Sequence, residues 1–105
     1  MARDATMLEL QIFFDESDEF GSKPLAEVLL HFLLQHHVNG ATLFRGEMGF
    51  GSRRHIHHPN VVGSLDDVPV TLVAIEEESK LRPLLPEIKK YIGNHMAIVR
   101  NAERL

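Results

Sequence analysis

A chain of 105 residues with 44% hydrophobic content is long enough for one domain with a small core and too apolar to be mainly disordered. Fifteen Asp and Glu against eleven Lys and Arg give a formal charge of −4, which excludes an overall electrostatic footprint for DNA or RNA. The lack of cysteine excludes disulfides and thiolate-based zinc or redox centres, and no apolar run approaches the roughly 20 residues needed to span a bilayer.

The N-terminal MARDATM lacks the apolar core of a secretory signal, so a cytoplasmic location is expected. Residues 7–14 (MLELQIFF) put Leu8, Leu10, Ile12 and Phe14 on one alternating face and Glu9 and Gln11 on the other. This is a strand pattern in which Phe13 makes the second face partly apolar. Residues 15–19 carry four acids in five positions and, followed by Gly21-Ser22, end the strand. Their spacing does not match a calcium loop, so a hydrated turn is expected.

A helix over 24–37 follows, with Pro24 in its first turn and Ser22 as cap. Leu25, Val28, Leu29, Phe32 and Leu33 share an apolar sector opposite Glu27, His31 and Gln35. Val38-Asn39-Gly40 supplies the stop. Adjacent His36 and His37 point in different directions, which suits caps or surface groups better than a metal pair.

A second strand over 41–46, with an extension toward Gly51, leads into residues 40–63 (GATLFRGEMGFGSRRHIHHPNVVG). Four glycines (Gly40, Gly46, Gly49, Gly51) fall within twelve residues, and Arg53, Arg54, His55, His57 and His58 follow before a Pro-Asn turn. Glycine tolerates close approach of a ligand to the backbone, and these side chains are the densest run of donors in the chain. A cationic recognition loop is one reading; a solvated connection that needs glycine to turn is the other. On the return, Val61-Val62 are expected to pair briefly and residues 64–67 to form one turn.

Residues 69–76 (PVTLVAIE) form the strongest strand candidate, with Val70 and Leu72 on one face and Val73 and Ile75 on the other. A second helix over 80–92, capped by Ser79, turns Leu81, Leu84, Leu85, Ile88 and Ile92 inward and sets Lys89-Lys90 near its C-terminal end. Pro83 and Pro86 make its beginning irregular. Gly93 ends it, and residues 95–100 (HMAIVR) supply a last strand.

The order β-α-β-β-α-β predicts an α/β (α+β) ferredoxin-like sandwich with a long loop between strands 2 and 3. It is expected as a single domain over 1–105, with its core over 7–103 and a flexible loop over 50–60. Two helices cover only one face of a four-stranded sheet, yet Phe13, Val73, Ile75 and last-strand residues make the other face apolar. Self-association is therefore expected; coverage by strand twist and terminal segments is the alternative.

Glu16-Ser17-Asp18, Lys23-Pro24-Leu25, Gly40-Ala41-Thr42, Arg45-Gly46, Gly49-Phe50-Gly51, Ile56-His57 and Pro69-Val70 occur in an order that resembles the domain-of-unknown-function-190 family. That family is similar in fold to nitrogen regulatory protein P-II and the cation-tolerance protein. The resemblance covers residues 7–103. It implies a ferredoxin-like subunit, a homotrimer with sheets around a central axis, and a signalling loop at residues 50–60. In P-II proteins nucleotides bind between subunits near the base of that loop, whose conformation controls association with enzymes or transporters.

Carried onto this chain, the resemblance implies that Gly46, Gly49 and Gly51 shape the loop base, while Arg45, Arg53 or Arg54 contacts a phosphate or carboxylate. His57 joins these as a candidate ligand-site residue, and a neutral, hydrogen-bonded His57 that supports the loop is the reading set against a metal role. An arginine fork suits planar oxyanions, and amides in a glycine-rich bend add donors. A structural salt bridge is the alternative for Arg45, and surface solvation for Arg53 and Arg54. The expected partners are further copies of the chain, a small anionic ligand or adenine nucleotide, and a partner protein, with no nucleic acid and no membrane insertion. No spacing identifies adenine recognition, no Walker-type lysine is present, and no tyrosine lies between residues 41 and 90, which leaves loop uridylylation unsupported. Two alternatives are a metal site using His55 and His57, brought together by threefold symmetry, and a small enzyme acting on a nucleotide through Glu47, His57 and Asp66.

Overall fold

The computed structural model describes residues 6–59 and 68–105. The expected Val61-Val62 pairing, the turn at 64–67 and Asp66 lie outside the described residues. The elements run β1 (Met7–Asp15), a short hairpin of β2 (Glu19–Phe20) and β3 (Lys23–Pro24), α1 (Leu25–Gln35), β4 (Ala41–Arg45), β5 (Pro69–Glu77), α2 (Glu78–Leu81), a 3-10 turn (Arg82–Leu84), α3 (Leu85–Ile92) and β6 (Met96–Ala102). The four long strands form one antiparallel sheet in the order β4-β5-β1-β6, which is the ferredoxin-like arrangement.

Period-two alternation decides which side of the sheet is the core. Leu8, Leu10, Ile12 and Phe14 of β1 and Val70, Leu72 and Ala74 of β5 are all buried, and they meet Leu25, Leu29, Phe32 and Leu33 of α1, Leu81 of α2 and Ile88 and Ile92 of α3. Burying each such side chain contributes on the order of 1.5–3 kcal/mol before entropy is counted. Val28, expected to face inward with these, is only half-buried. Among the described residues no helix is long and apolar enough to cross a membrane.

Both expected caps are corrected. Ser22 does not cap α1; Pro24 holds the cap position with no side-chain hydrogen bond, because residues 23–24 pair with 19–20 and feed straight into the helix. The first helical amide, Leu25 N–H, donates instead to the Asp18 carbonyl at 2.8 Å. Ser79 lies inside α2, which starts at Glu78 with Glu77 as cap, and Glu78 N–H donates to the Thr6 carbonyl at 2.7 Å. The prolines break the second helical region as expected: Pro83 sits in the 3-10 turn and Pro86 at the start of α3. Gly93 ends α3 at φ 57°, and Lys89 Nζ donates to its carbonyl at 2.6 Å.

The helix-free face consists of three rows set by strand register. Phe44, Thr71, Phe13 and Met96 form one, Thr42, Val73, Gln11 and Ile98 the next, and Ile75, Glu9 and Arg100 the third. Phe13, Phe44, Ile75, Met96 and Ile98 are all exposed in the subunit. Within the third row Arg100 Nε donates to Glu9 Oε1 at 2.9 Å, and Gln11 Nε2 to Glu9 Oε2 at 2.7 Å. The Arg100 and Gln11 bonds hold the Glu9 carboxyl below the usual carboxylate range.

Candidate functional site

The excursion between β4 and β5 is tied at its base before it opens. Gly46 N–H donates to the Pro69 carbonyl at 2.7 Å, and a Cβ on Gly46 would stand 2.9 Å from Pro69 Cγ and 3.2 Å from the Pro69 oxygen. The glycine is thus required by backbone approach to β5. The extension of β4 toward Gly51 is not formed. Beyond Gly46 the pairing partner changes from β5 to the loop itself, where Gly49 and His57 form an isolated antiparallel bridge, with His57 N–H donating to the Gly49 carbonyl at 2.7 Å. Inside it, Arg54 adopts φ 57° in a turn closed by its N–H on the Gly51 carbonyl at 2.9 Å, and its guanidinium lies 5.8 Å from the Phe50 ring centre.

The acidic run after β1 is more than a hydrated turn. Asp15 is buried, because Asp15 N–H donates to Asp18 Oδ2 at 2.7 Å, Asp18 N–H donates back to the Asp15 carbonyl at 2.9 Å, and the loop packs over it. A Cβ on Gly51 would stand 3.2 Å from Asp15 Oδ1. Arg53 Nη1 meets Asp15 Oδ2 at 2.6 Å, and its Nη2 lies 3.7 Å from Asp18 Oδ1. Arg45 forms a fork-to-fork pair with Glu16, Nε to Oε2 at 2.8 Å and Nη2 to Oε1 at 3.0 Å. The Arg45 hydrogen bonds hold the Glu16 carboxyl below its ordinary range against an opposing effect of burial. Turn and loop are clamped by these opposite charges.

Two concavities flank the clamp. One, of about 480 Å³, is lined by Arg45, Gly46, Glu47, His57 and Pro59. His57 is only 8% exposed, and its Nδ1 is buried with no hydrogen-bond partner among the described residues. The other, of about 550 Å³, lies where the loop meets the end of the sheet and includes Phe13, Phe50, Met96, Asp18, Asn94 and His95. His95 Nε2 stands 3.6 Å from Asp18 Oδ2 there.

The residues singled out in the sequence are therefore divided. Arg45, Gly46 and His57 share the smaller cleft; Gly51 lines the larger one; Gly49 lines neither and is bridged to His57; Arg53 is drawn to Asp15; and Arg54 stacks near Phe50. His55 is exposed whereas His57 is buried, and among the described residues no three His, Cys, Asp or Glu side chains converge on a metal-sized site. Asp15, Glu16 and Asp18 were not singled out as site residues. The sequence signals for them are the Glu16-Ser17-Asp18 motif and complementary charge in two segments roughly 30 residues apart.

A model of the DUF190 family, described as "Uncharacterized ACR", matches residues 7–104. The chain belongs to the DUF190 family. A UPF0166 protein of Aquifex aeolicus is 32% identical over 90 residues, covering 86% of this chain and 83% of that one. A UPF0166 protein of Methanocaldococcus jannaschii is 23% identical over 90 residues, covering 86% and 82%. The DUF190 fold is also similar to CPII, a nitrogen regulatory PII-like protein from Thiomonas intermedia K12. CPII bound to ADP, AMP and bicarbonate matches with a TM-score of 0.61 and 20% identity over 92% of this chain and 84% of that one. CPII bound to ADP, AMP and acetate matches with a TM-score of 0.58 and 20% identity over 95% and 91%. At that identity the likeness to CPII is one of fold.

Proposed function

We propose that this DUF190 protein is a P-II-like regulator rather than an enzyme: a homotrimer that takes a small anion or adenine nucleotide at clefts between subunits and presents its loop to a partner protein. One observation carries the reading. Arg45, Gly46 and the buried His57 share a cleft at the neck of the loop, so a ligand there contacts the groups that hold the loop's path. Support for the nucleotide comes from CPII, a protein of similar fold bound to ADP and AMP, and from the larger cavity, whose size and apolar walls suit a planar base. Phe13 and Met96 belong both to that cavity and to the exposed sheet face, so a neighbouring copy on that face would complete its wall.

Ligand control of the loop requires unequal affinity for its states, since equal binding shifts no population. The test is native mass spectrometry of the full chain with ADP, AMP and bicarbonate, alone and combined. Trimers that take up ligand, with binding weakened roughly tenfold or more by Arg45→Ala, are expected from the loss of a charged hydrogen-bonding group. Monomers without ligand uptake overturn the reading.

A further inference from the structure

The seat an anion would need on Arg45 is already filled from within the chain. Arg45 presents Nε and Nη2 side by side, and Glu16 accepts from both, at 2.8 and 3.0 Å, in the geometry with which arginine binds any planar two-oxygen group. Arg45 also lines the cleft that it shares with His57, a side chain more than nine-tenths buried whose Nδ1 lacks a hydrogen-bond partner among the described residues. The Arg45 and Glu16 side chains are 53% and 36% exposed, so water screens their attraction and a solute anion can exchange for the carboxylate. Glu16 cannot diffuse away when displaced: its N–H is held by the Val68 carbonyl at 2.9 Å, and it follows the buried Asp15. A tethered group of this kind competes at the high effective concentration of an intramolecular ligand.

We propose that Glu16 is a built-in competitor for the Arg45 seat, its carboxylate standing where the anionic group of a planar carboxylate or bicarbonate ligand binds. This rests on reading the Arg45 cleft as the ligand site. Glu16 then sets the concentration at which the site responds and selects for anions that match a two-oxygen fork. Occupancy also has a structural output. An anion that takes Arg45 removes its tie to the acidic turn and leaves the Arg53 tie to Asp15 and Asp18 in place. The same turn supplies the Asp18 carbonyl that receives the first amide of α1.

The test titrates the ¹⁵N-labelled full chain with sodium bicarbonate and, separately, sodium acetate at constant ionic strength, following the Arg45 and Gly46 amides by NMR. Glu16→Gln, a substitution at an exposed pair, is expected to tighten binding of at least one probe roughly two- to fivefold, the range set by an exposed ion pair. That gain should vanish in the double variant with Arg45→Gln. Which probe responds separates an organic carboxylate from bicarbonate as the source of the anion. Equal or weaker binding by Glu16→Gln, with wild-type binding intact, overturns the competitor role and leaves the anion reading standing. No response to either probe in any variant, or binding undiminished by the double substitution, overturns both.

Discussion

Two consecutive arginines of the loop have unlike duties. Arg53 reaches a carboxylate whose side chain is 6% exposed, whereas Arg54, in a left-handed turn position, lies near the face of an exposed phenylalanine. A buried carboxylate deprived of its guanidinium loses much of the compensation for its desolvation, while an exposed cation–aromatic contact contributes at most about 1 kcal/mol. Arg53→Ala should therefore destabilise the protein by about 1–3 kcal/mol and Arg54→Ala by less than about 1 kcal/mol, measured by urea unfolding at one protomer concentration. Equal losses would show that Asp15 does not depend on Arg53. The sequence marks both arginines as donors, but it cannot separate them: the partner of one is 38 residues away and is brought close only by the pairing of β1 with β5.

Helix α1 needs a device to leave its axis and enter β4. His36 occupies the C-cap position, and His37 takes φ 62°, a region that disfavours non-glycine residues. Past them, Asn39 N–H donates to Glu76 Oε1 at 2.7 Å, and Glu76 Oε2 accepts from Glu77 N–H at 3.1 Å. Glu76 is almost fully buried at the end of β5, with Lys80 Nζ 3.8 Å away. Burial alone would raise its pKa, but the two amides and Lys80 together bring it below the ordinary 4.5. A depressed folded-state pKa means that this stabilisation is present above the unfolded value and is lost as pH falls through the folded one. Glu76→Gln should cost about 1–3 kcal/mol at pH 7 in urea unfolding, and the gap to wild type should narrow as the pH falls below that value. A gap independent of pH would remove the ionised carboxylate from this explanation. The helix itself was legible from its apolar spacing, whereas Glu76 read only as the polar end of a strand because its partners come from another element.

Over the whole molecule, register places five large apolar side chains on the uncovered face of the sheet, alongside the internally bonded Glu9, Gln11 and Arg100. A patch of this kind, large and apolar with its Glu9 charge paired in place, is the composition of a surface that meets another protein chain. Ile98, in the middle row and 41% exposed, can accept a charge without disturbing the helix-covered core. Ile98→Glu should convert the proposed trimer to monomers in sedimentation velocity while leaving the far-UV circular dichroism unchanged. A wild-type protein that sediments as a monomer, or a variant that assembles normally, would refute assembly through this face.

Alternating and helical spacing by themselves determined the four long strands, the two helical regions and the apolar character of both sheet faces, because side-chain direction follows local backbone period. Family order in the short motifs, Arg45-Gly46 and Gly49-Phe50-Gly51 among them, was equally local. Only the tertiary structure decided what the charges do. Strand order β4-β5-β1-β6 brings the turn after β1 beneath the loop that follows β4, so Glu16 takes Arg45, Asp15 takes Arg53, and His57 is left in the cleft with a ring nitrogen that has no hydrogen-bond partner among the described residues. Coulombic pairing depends on distance in space, which residue spacing along a chain does not encode.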